Sequence, residues 1–438
     1  MPRNLSINRN AREIVNKLKT HGYQAYLVGG SVRDLMLKIK PEEWDITTDA
    51  LPEEVGKLFN KVVPTGIEFG TVTVLLNDQT FEVTTFRRDE KYLDGRHPQS
   101  VTFSKDLKED LSRRDFTINA MAFDPNGAKF IDHFGGVKDL HKKLVRAVGD
   151  PLKRFKEDGL RPLRACRFAA KLGFVIEPLT LKAISATLDV AGRVSPERVH
   201  DELVKMLRAK KPSIGLEYMR QSGLLKLYLP ELLKCYKVEQ PPQYHKFDVY
   251  WHSLFSCDAA PAGNYVVRLA ALLHDIGKPP AKVDLTFYNH DKLGKEMAAK
   301  LLKRLRFSNS DIETAANLID NHMFDYHSEW SDSAVRRFIR RVGEENLDDL
   351  FALRLADAKA MHQVDNSYLK ELKARIARII KEAQALHVKD LKIKGEDVMK
   401  ELNIPPGPRV GKVLEELLEK VLEDPALNTR EKLIELIK

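Results

Sequence analysis

The stretch LVGGSVRD at residues 27–34, followed by EWDIT at residues 43–47, is the clearest indication of the fold of this chain. A short apolar run ahead of the glycines predicts a buried strand. Gly29 and Gly30 lack a Cβ, so backbone N–H groups there can approach a polyphosphate closely, and Arg33 is near enough to assist. The stretch therefore predicts a phosphate-binding turn directly before a pair of carboxylates.

A helix is expected directly after the glycines. Ser31 can cap this helix, which we expect to begin near Val32. The free N–H groups and partial positive charge of a helix N-terminus would then hold a triphosphate through the backbone. A Rossmann dinucleotide site is the obvious competitor, but the sequence has no GxGxxG, and it has no GKS or GKT string of a P-loop.

Three acidic residues are candidate metal ligands and catalytic groups. Glu43 and Asp45 are two positions apart in a predicted strand, so both side chains should point to the same face. Glu82 lies in QTFEVTTFR at residues 79–87, a β-branched and aromatic run that predicts a neighbouring strand. Acidic pairs are common on solvated surfaces, but beside a glycine turn they favour the Mg²⁺ ligands of a two-metal phosphoryl or nucleotidyl transfer.

Composition limits the class of protein. The 438 residues are 43% hydrophobic and 31% charged, which is typical of a multidomain globular protein. There is no run of about 18 apolar residues and no signal peptide pattern, so we expect a cytoplasmic protein without a membrane partner. Three cysteines without CxxC spacing predict reduced thiols. The net charge of +9 favours a polyanionic partner.

Strand and helix patterns alternate only in the first third of the chain, and amphipathic helix patterns follow. QPPQYHK at residues 240–246 is a plausible linker. We therefore predict an α+β multidomain protein with an α/β head over residues 1–145, a helical neck over 146–240, a helical body over 241–370 and a helical tail over 371–438.

The neck contains a candidate base-reading motif, EDGLRPLR. Its spacing puts Asp158 and Arg161 on one face of a predicted helix, with Glu157 four residues before the arginine and able to orient it. Arg161 would donate to N3 of cytosine or N1 of adenine, and Asp158 would accept from the exocyclic amine. Uracil and guanine present a ring N–H to the arginine instead. On spacing alone, an ordinary intrahelical ion pair is the alternative.

Six motifs occur in order over residues 20–230: LVGGSVRD, EWDITTDA, EVTTFRRD, RRDFTINAMAFD, FGGVKDLHKKLVRAVGDPLKRFKEDGLRPLRACRFAAKLGF and VSPERVHDEL. In this order and spacing they strongly resemble bacterial class II tRNA nucleotidyltransferases, the CCA-adding enzymes, which are close relatives of bacterial poly(A) polymerases. The resemblance implies a polymerase-beta-like nucleotidyltransferase head and template-independent addition of CCA to tRNA from CTP and ATP.

The resemblance also implies roles for single residues. Glu43 and Asp45 would hold the catalytic metals, Asp115 would contact the ribose 2′-hydroxyl, and Asp158 with Arg161 would template the incoming base. The full set expected to bind nucleotide is Gly29, Gly30, Arg33, Arg114, Asp115, Asn119, Glu157, Asp158, Arg161 and Arg164. This chain departs from the family at Glu43, where an aspartate is usual, so Glu43 is the least secure ligand.

The choice of nucleotides depends on a further segment. Residues 87–111 look like the flexible loop that CCA-adding enzymes use to switch from C to A, which argues against CC-only addition. A-adding or poly(A) polymerase activity remains an alternative.

In the tail, PPGPRVG at residues 405–411 would bring Arg409 and Lys412 to RNA phosphates, or would simply connect two helices.

A histidine-rich section follows the linker. Its residues His252, His274, Asp275, His290, His322 and Asp357 follow the order and rough spacing of HD-superfamily phosphohydrolases. This resemblance implies an HD-like body with a second divalent metal, held by His252, His274, Asp275 and Asp357. The alternatives are a structural remnant, a phosphohydrolase whose head is regulatory, or an RNA-binding protein with an inactive head.

Overall fold

The computed structural model describes residues 7–89, 101–361, 367–382 and 385–438. The chain forms two compact units, Met1–Leu233 and Lys234–Lys438. The predicted C-to-A switching loop covers residues 87–111, and its residues 90–100 lie outside the described part. The four-part division into head, neck, body and tail stays a prediction.

The first unit contains a mixed sheet formed by seven strands within the described residues. These strands are β1 Ala25–Val28, β2 Asp45–Thr48, β3 Val62–Gly66, β4 Thr71–Leu76, β5 Gln79–Thr85, β8 Met121–Asp124 and β9 Lys129–Asp132. Two small pairs are β6 Arg87–Asp89 with β7 Val101–Phe103 and β10 Leu144–Val145 with β11 Val175–Ile176. The order in the large sheet is β3-β4-β5-β2-β1-β8-β9, and only β2 and β5 run parallel.

The register of three central strands brings the sequence motifs together. Strand β1 is apolar and buried, as predicted, and its last residue, Val28, lies opposite Asp45 of β2. Asp45 in turn lies opposite Glu82 of β5. In β5, Phe81 and Val83 are buried in the core, so the period of two turns Glu82 to the other face. The glycine turn and two acidic residues therefore meet at one end of the sheet.

The described residues of the first unit also form helices before, between and after these strands. They are α1 Arg9–Thr20, α2 Gly29–Met36, α3 Pro52–Leu58, α4 Leu107–Ser112, α5 Gly136–His141, α6 Pro151–Glu157, α7 Arg161–Leu172, α8 Pro178–Ser185, α9 Leu188–Ala191, α10 Pro196–Leu207, α11 Pro212–Ser222, α12 Leu224–Tyr228 and α13 Pro230–Leu233. The fold class predicted from the sequence, a mixed α and β head followed by helices, is confirmed.

The start of α2 corrects one prediction. The helix begins at Gly29, not near Val32, because Gly29 adopts a left-handed φ of 69° that turns the chain directly from strand to helix. Ser31 does not cap the helix; its hydroxyl donates to the carbonyl of Val28 at 2.8 Å. The glycine N–H groups themselves therefore occupy the first turn.

The second unit is helical in its described residues. Its helices are α14 Val249–Ala259, α15 Tyr265–Leu273, α16 Lys278–Ala281, α17 His290–Arg304, α18 Asn309–Asn321, α19 Asp332–Val342, α20 Leu347–Ala360, α21 Tyr368–Lys381, α22 Gly395–Leu402, α23 Pro408–Glu423 and α24 Arg430–Glu435. Of PPGPRVG, the first three residues lie between α22 and α23 and the last four begin α23, where Lys412 stands near Glu416 on the exposed face. Among the described helices, none combines the length and apolarity needed to cross a bilayer.

Candidate functional site

A cleft of about 820 Å³ in the first unit gathers most of the predicted nucleotide-site residues. Those that line it are Gly29, Gly30, Arg33, Glu43, Asp45, Arg114, Asp115, Asn119, Asp158, Arg161 and Arg164. Glu82 and Glu157 do not line the cleft themselves. Glu82 lies opposite Asp45, and Glu157 accepts from Arg161, and both of these partners line it. The base-reading pair and the acidic pair thus share one cleft.

The acidic residues at the sheet end differ in how they are held. Asp45 opens β2, whereas Glu43 precedes the strand in a bend, so the prediction that both lie in one strand is wrong. Burial raises the pKa of Asp45, and the nearby charge of Glu43 adds to this although Arg114 opposes it. Desolvation and the charge of Asp45 likewise raise the pKa of Glu82. A divalent cation between these carboxylates would relieve that repulsion, so the donor set fits a hard metal ion.

The glycine turn packs directly against the acidic residues. A Cβ at Gly29 would lie 2.9 Å from Asp45 Oδ2 and 3.2 Å from Arg114 Nη1. The guanidinium of Arg114 is held by the buried Asp110, whose Oδ2 accepts from Nη2 at 3.3 Å. Its Nε is buried with no hydrogen-bond partner in the described residues. A buried donor without an acceptor, next to backbone N–H groups, suits an anionic ligand.

A second network fixes Asp115. Its Oδ1 accepts from the Phe116 N–H at 2.8 Å and from Asn119 Nδ2 at 3.0 Å, and its Oδ2 accepts from Arg164 Nε at 2.9 Å and Nη2 at 2.7 Å. Burial alone would raise the pKa of Asp115, but Arg164 and Asn119 outweigh it and lower the value to about 2. Asn119 also accepts from Arg33 Nη1 at 2.7 Å. Because all four acceptor positions of Asp115 are used, contact with a ribose hydroxyl requires one of these bonds to be given up.

The base-reading residues lie at a corner between two helices, which corrects the prediction of a single helical face. Helix α6 ends at Glu157 and α7 begins at Arg161, with Asp158 in an extended conformation between them. The corner exists because Gly159 packs against the Val190 carbonyl, only 2.5 Å from where a Cβ would be. The Arg161 N–H donates to the Asp158 carbonyl at 3.1 Å, so the two side chains still belong to one turn of chain.

Arg161 is held rigidly by acceptors on one side. Its Nη1 donates to Glu157 Oε2 at 2.7 Å and to the Arg154 carbonyl at 2.8 Å, and its Nη2 donates to the Arg113 carbonyl at 3.0 Å. The predicted contact between Glu157 and Arg161 is therefore present. One N–H of Nη2 and the Nε–H remain for a ligand, which leaves a pre-oriented donor edge in the cleft.

Helices α7 and α10, and the residue directly after α10, contribute further charged side chains that were not predicted as site residues: Arg167, Lys171, Arg198, Glu202, Lys205 and Arg208. All except Glu202 line the cleft. Glu202 is buried and pairs with Arg167 and Arg164. For three of them a sequence signal was present: the spacing of Arg198, Glu202 and Lys205 puts these residues on one face of a helix.

A separate cluster of histidines and aspartates lies in the second unit. The cluster contains His252, His274, Asp275, His290, His322 and Asp357, all buried. Its Nε2 atoms converge: His252 Nε2 is 2.9 Å from Asp357 Oδ1 and 3.2 Å from His274 Nε2. His290 Nε2 is 3.5 Å from Asp275 Oδ1 and 3.4 Å from His322 Nε2. All six residues of the predicted HD-like pattern therefore meet.

Backbone carbonyls set the orientation of three of these rings. The Nδ1 atoms of His274, His290 and His322 lie 2.8, 2.7 and 2.6 Å from the carbonyl oxygens of Ala271, Phe287 and Ile319. A carbonyl can only accept, so each Nδ1 carries the proton and each Nε2 presents a lone pair to the cluster.

The cluster also contains an unsatisfied acceptor. Asp275 Oδ1 is buried and has no hydrogen-bond partner among the described residues, although Lys278 Nζ lies 2.8 Å from Oδ2. Two overlapping ligand groups share Asp275: one with His252 and His274, the other with His290 and His322. A cavity of about 360 Å³ opens onto this cluster, with Tyr244 and Tyr288 at its wall. Convergent lone pairs and an orphaned carboxylate oxygen fit divalent metal ions.

The class of protein follows from this fold and cleft together with the matching family models. Residues 25–146 match the poly A polymerase head domain, residues 173–235 match a probable RNA and SrmB-binding site of polymerase A, and residues 285–437 match a putative tRNA nucleotidyltransferase domain 2. The protein is therefore an enzyme of the nucleotidyltransferase class, as the sequence predicted.

Relatives along the whole chain define the family. The CCA-adding enzyme of Enterococcus faecalis is 33% identical over 431 residues, which covers 98% of this chain and 95% of that protein. The CCA-adding enzyme of Ligilactobacillus salivarius is 34% identical, with coverage of 98% and 95%. The chain belongs to the CCA-adding enzyme family.

Solved structures agree with this assignment. The Bacillus stearothermophilus CCA-adding enzyme in complex with CTP has a TM-score of 0.76 and 28% identity, covering 98% of this chain and 95% of that one. The Thermotoga maritima CCA-adding enzyme complexed with tRNA has a TM-score of 0.58 at 22% identity, which is a likeness of fold. The resemblance stated from the sequence is thereby confirmed.

Proposed function

We propose that this protein adds C, C and A to the 3′ end of tRNA from CTP and ATP, releasing pyrophosphate and using no nucleic-acid template. The observation that carries the proposal is the cleft that brings the acidic residues Asp45 and Glu43 together with the base-reading pair Asp158 and Arg161. Family membership supports the same reaction, because the relatives are named for it.

In this proposal the catalytic cofactor is Mg²⁺, held by Asp45, Glu82 and Glu43. Bound ions would activate the 3′-hydroxyl of the RNA and stabilise negative charge on the α-phosphate and the departing pyrophosphate. Burial and mutual repulsion raise the pKa values of Asp45 and Glu82, and a cation bound between the two carboxylates would favour their ionised forms. Glu43 is the least constrained ligand, since it precedes the strand that fixes Asp45.

The triphosphate would lie over Gly29 and Gly30. Their N–H groups at the start of α2 would donate to phosphate oxygens. Arg33 and the Nε of Arg114, which has no hydrogen-bond partner among the described residues, would add positive charge. The Asp115, Asn119 and Arg164 network would position the ribose.

Base choice would fall to Asp158 and Arg161. Arg161 would use its remaining Nη2 or Nε hydrogen to donate to N3 of cytosine or N1 of adenine, and Asp158 would accept from the exocyclic amine. Both bases offer this pattern, whereas uracil and guanine reverse it. Glu157 would act on the reaction only by orienting Arg161.

The partner in this proposal is tRNA, and the location is the cytoplasm. Net positive charge and the cationic residues Lys171, Lys205 and Arg208 at the cleft support a polyanionic partner. Arg409 and Lys412 at the start of α23 would also contact RNA phosphates.

Nucleotide addition to three RNA substrates tests the proposal. The protein is incubated with Mg²⁺, labelled CTP or ATP, and tRNA ending before CCA, after C, or after CC. We expect CMP on the first two substrates and AMP only on the third. Poly(A) activity would instead give long AMP tracts on any end, and a wild-type protein that incorporates neither nucleotide would refute the proposal.

A second proposed activity belongs to the second unit: divalent metal binding by the histidine and aspartate cluster, with hydrolysis of phosphoesters as its chemistry. The orphaned Oδ1 of Asp275 and the three Nε2 lone pairs fixed by backbone carbonyls support metal binding. His252, His274, Asp275 and Asp357 would hold one ion, and His290 and His322 with Asp275 a second. Such ions activate water against a phosphoester.

Metal content and hydrolysis test this second activity separately. Purified wild type and Asp275→Ala are analysed for bound metal and for hydrolysis of 2′,3′-cyclic nucleotides. We expect metal and hydrolysis in the wild type only. A wild type without either would make the cluster a structural remnant, and it would leave nucleotide addition untouched.

A further inference from the structure

The proposed base-reading carboxylate has a partner on another helix. Arg198 of α10 places its Nη2 3.1 Å from Asp158 Oδ1 and 3.2 Å from Oδ2. The N–H of Leu160 also donates to Oδ1, at 3.0 Å. Oδ1 is thus used by two donors, whereas Oδ2 has only the shared contact with Arg198 and keeps an acceptor position open.

Arg198 is well placed to restrain this carboxylate. The side chain of Arg198 is 22% exposed and that of Asp158 is 18% exposed, so the pair is largely removed from bulk solvent. A charge-assisted hydrogen bond in such surroundings is stronger than an exposed ion pair. Helix α10 is itself fixed, because Glu202, one turn further along, is 2% exposed and pairs with Arg167 of α7.

We propose that Arg198 is a specificity-determining positioning residue, which keeps Asp158 oriented so that its open oxygen accepts a hydrogen bond from the base. The inference rests on the proposed base-reading role of Asp158. Cytosine and adenine offer an amine donor at this position and are accepted. Uracil and guanine offer a carbonyl oxygen there, which a fixed carboxylate repels.

Without Arg198, the carboxylate keeps only the hydrogen bond from the Leu160 N–H. It can rotate away from its Leu160 contact, which moves the open oxygen out of the position where it repels a carbonyl oxygen of the base. Rejection of uracil should then weaken more than binding of cytosine. A purely structural role for Arg198 predicts a different result: equal losses for every nucleotide.

The test compares CTP and UTP in single-nucleotide addition to tRNA ending before CCA. Arg198→Met keeps the length of the side chain and removes its charge. We expect kcat/KM for CTP to fall about tenfold and the ratio of CTP to UTP to fall about tenfold or more, since one base contact carries discrimination of this order. Arg198→Lys keeps the charge and should recover part of that ratio.

Two controls separate the outcomes. Arg193→Met removes an exposed arginine of the same region, which pairs with the exposed Asp189, and should leave both rates unchanged. Asp158→Ala tests the underlying role: if it keeps the wild-type ratio, the base-reading proposal fails. If Asp158→Ala relaxes the ratio but Arg198→Met lowers CTP and UTP equally, only the inference about Arg198 fails. Should Arg198→Met not fold, Arg198→Ala, which also removes the charge and both hydrogen bonds, takes its place, and an unchanged ratio in that variant overturns the inference.

Discussion

Gly29 is the residue at which the phosphate-binding turn and the acidic residues meet. Its φ of 69° lies in the left-handed region, and the space where a Cβ would stand is occupied by the Asp45 carboxylate, 2.9 Å away. Gly30, the next residue, has no such constraint, because a Cβ there would make an ordinary contact of 3.5 Å with Arg33. The two glycines therefore have different physical reasons to be glycine.

Gly29→Ala should damage catalysis far more than Gly30→Ala. The new methyl group would push Asp45 aside, and a displacement of about 1 Å at a reacting centre costs about 100-fold in rate. We expect at least that loss in the rate of CMP addition for Gly29→Ala, and a loss below about tenfold for Gly30→Ala. Similar rates for the two variants, both folded by circular dichroism, would contradict this view of the turn.

The sequence predicted contacts that strand periodicity determines, and it did not predict contacts that depend on helix packing. The period of two in a strand places Glu82 on the face away from the core, and the parallel register puts it beside Asp45. The pairing of Arg198 with Asp158 joins residues 40 positions apart. Such a contact depends on how α10 packs, which no local pattern in the sequence encodes.

The corner between α6 and α7 is the element on which base choice depends. The spacing of Glu157, Asp158 and Arg161 predicted that they share one helix, and the chain breaks it because Gly159 has to pass close to the Val190 carbonyl. The break turns Asp158 out of the helix while the Glu157 to Arg161 ion pair bridges the gap. Periodicity records which residues are buried, and it does not record such a tertiary constraint.

Gly159→Ala should therefore weaken both the fold and the selectivity of the first unit. A Cβ only 2.5 Å from a backbone oxygen forces the corner to move, and overpacking of this kind costs about 1–3 kcal/mol of unfolding free energy. We also expect a smaller preference for CTP over UTP. Urea unfolding and the two addition rates measure these effects.

Gly192→Ala is the matched control for this prediction. Its Cβ would approach the Leu188 carbonyl to 3.4 Å, an ordinary contact, at an exposed position. A Gly159→Ala protein as stable and selective as Gly192→Ala would show that the corner does not position Asp158.

Over the whole molecule, the two units carry two chemically different sites. Carboxylates opposite a glycine turn suit Mg²⁺ and a triphosphate in the first unit, and imidazoles with carboxylates suit a softer divalent ion in the second. The sequence predicted both sets of residues, because each lies in short motifs. The ring orientations set by backbone carbonyls depend on helix packing and could only come from the structure.

Metal binding should stabilise the second unit. Mn²⁺ at about 100 times its dissociation constant would raise the unfolding free energy by about 2.7 kcal/mol. In a Trp44→Phe background, the remaining tryptophans Trp251 and Trp330 both belong to the second unit and report its thermal unfolding. We expect a higher melting temperature with Mn²⁺, reversed by a chelator.

Asp275→Asn supplies the control for this measurement. It removes the shared ligand at nearly constant volume, and we expect its melting temperature not to respond to Mn²⁺. A wild-type unit whose melting temperature is equally indifferent to Mn²⁺ would contradict metal binding by the cluster.

Carboxylates at the end of the sheet are proposed to hold the metal ions for nucleotidyl transfer, and the rate of CMP addition by Asp45→Asn reports on this role. Loss of a metal ligand should cost several kcal/mol in transition-state stabilisation, or about a 1000-fold loss in rate, since each 1.4 kcal/mol is about tenfold. Glu43→Asp, measured beside it, should stay within about tenfold of wild type, because Glu43 lies outside the strand. An Asp45→Asn protein that adds CMP at the wild-type rate would contradict the role of Asp45 as a metal ligand in nucleotidyl transfer.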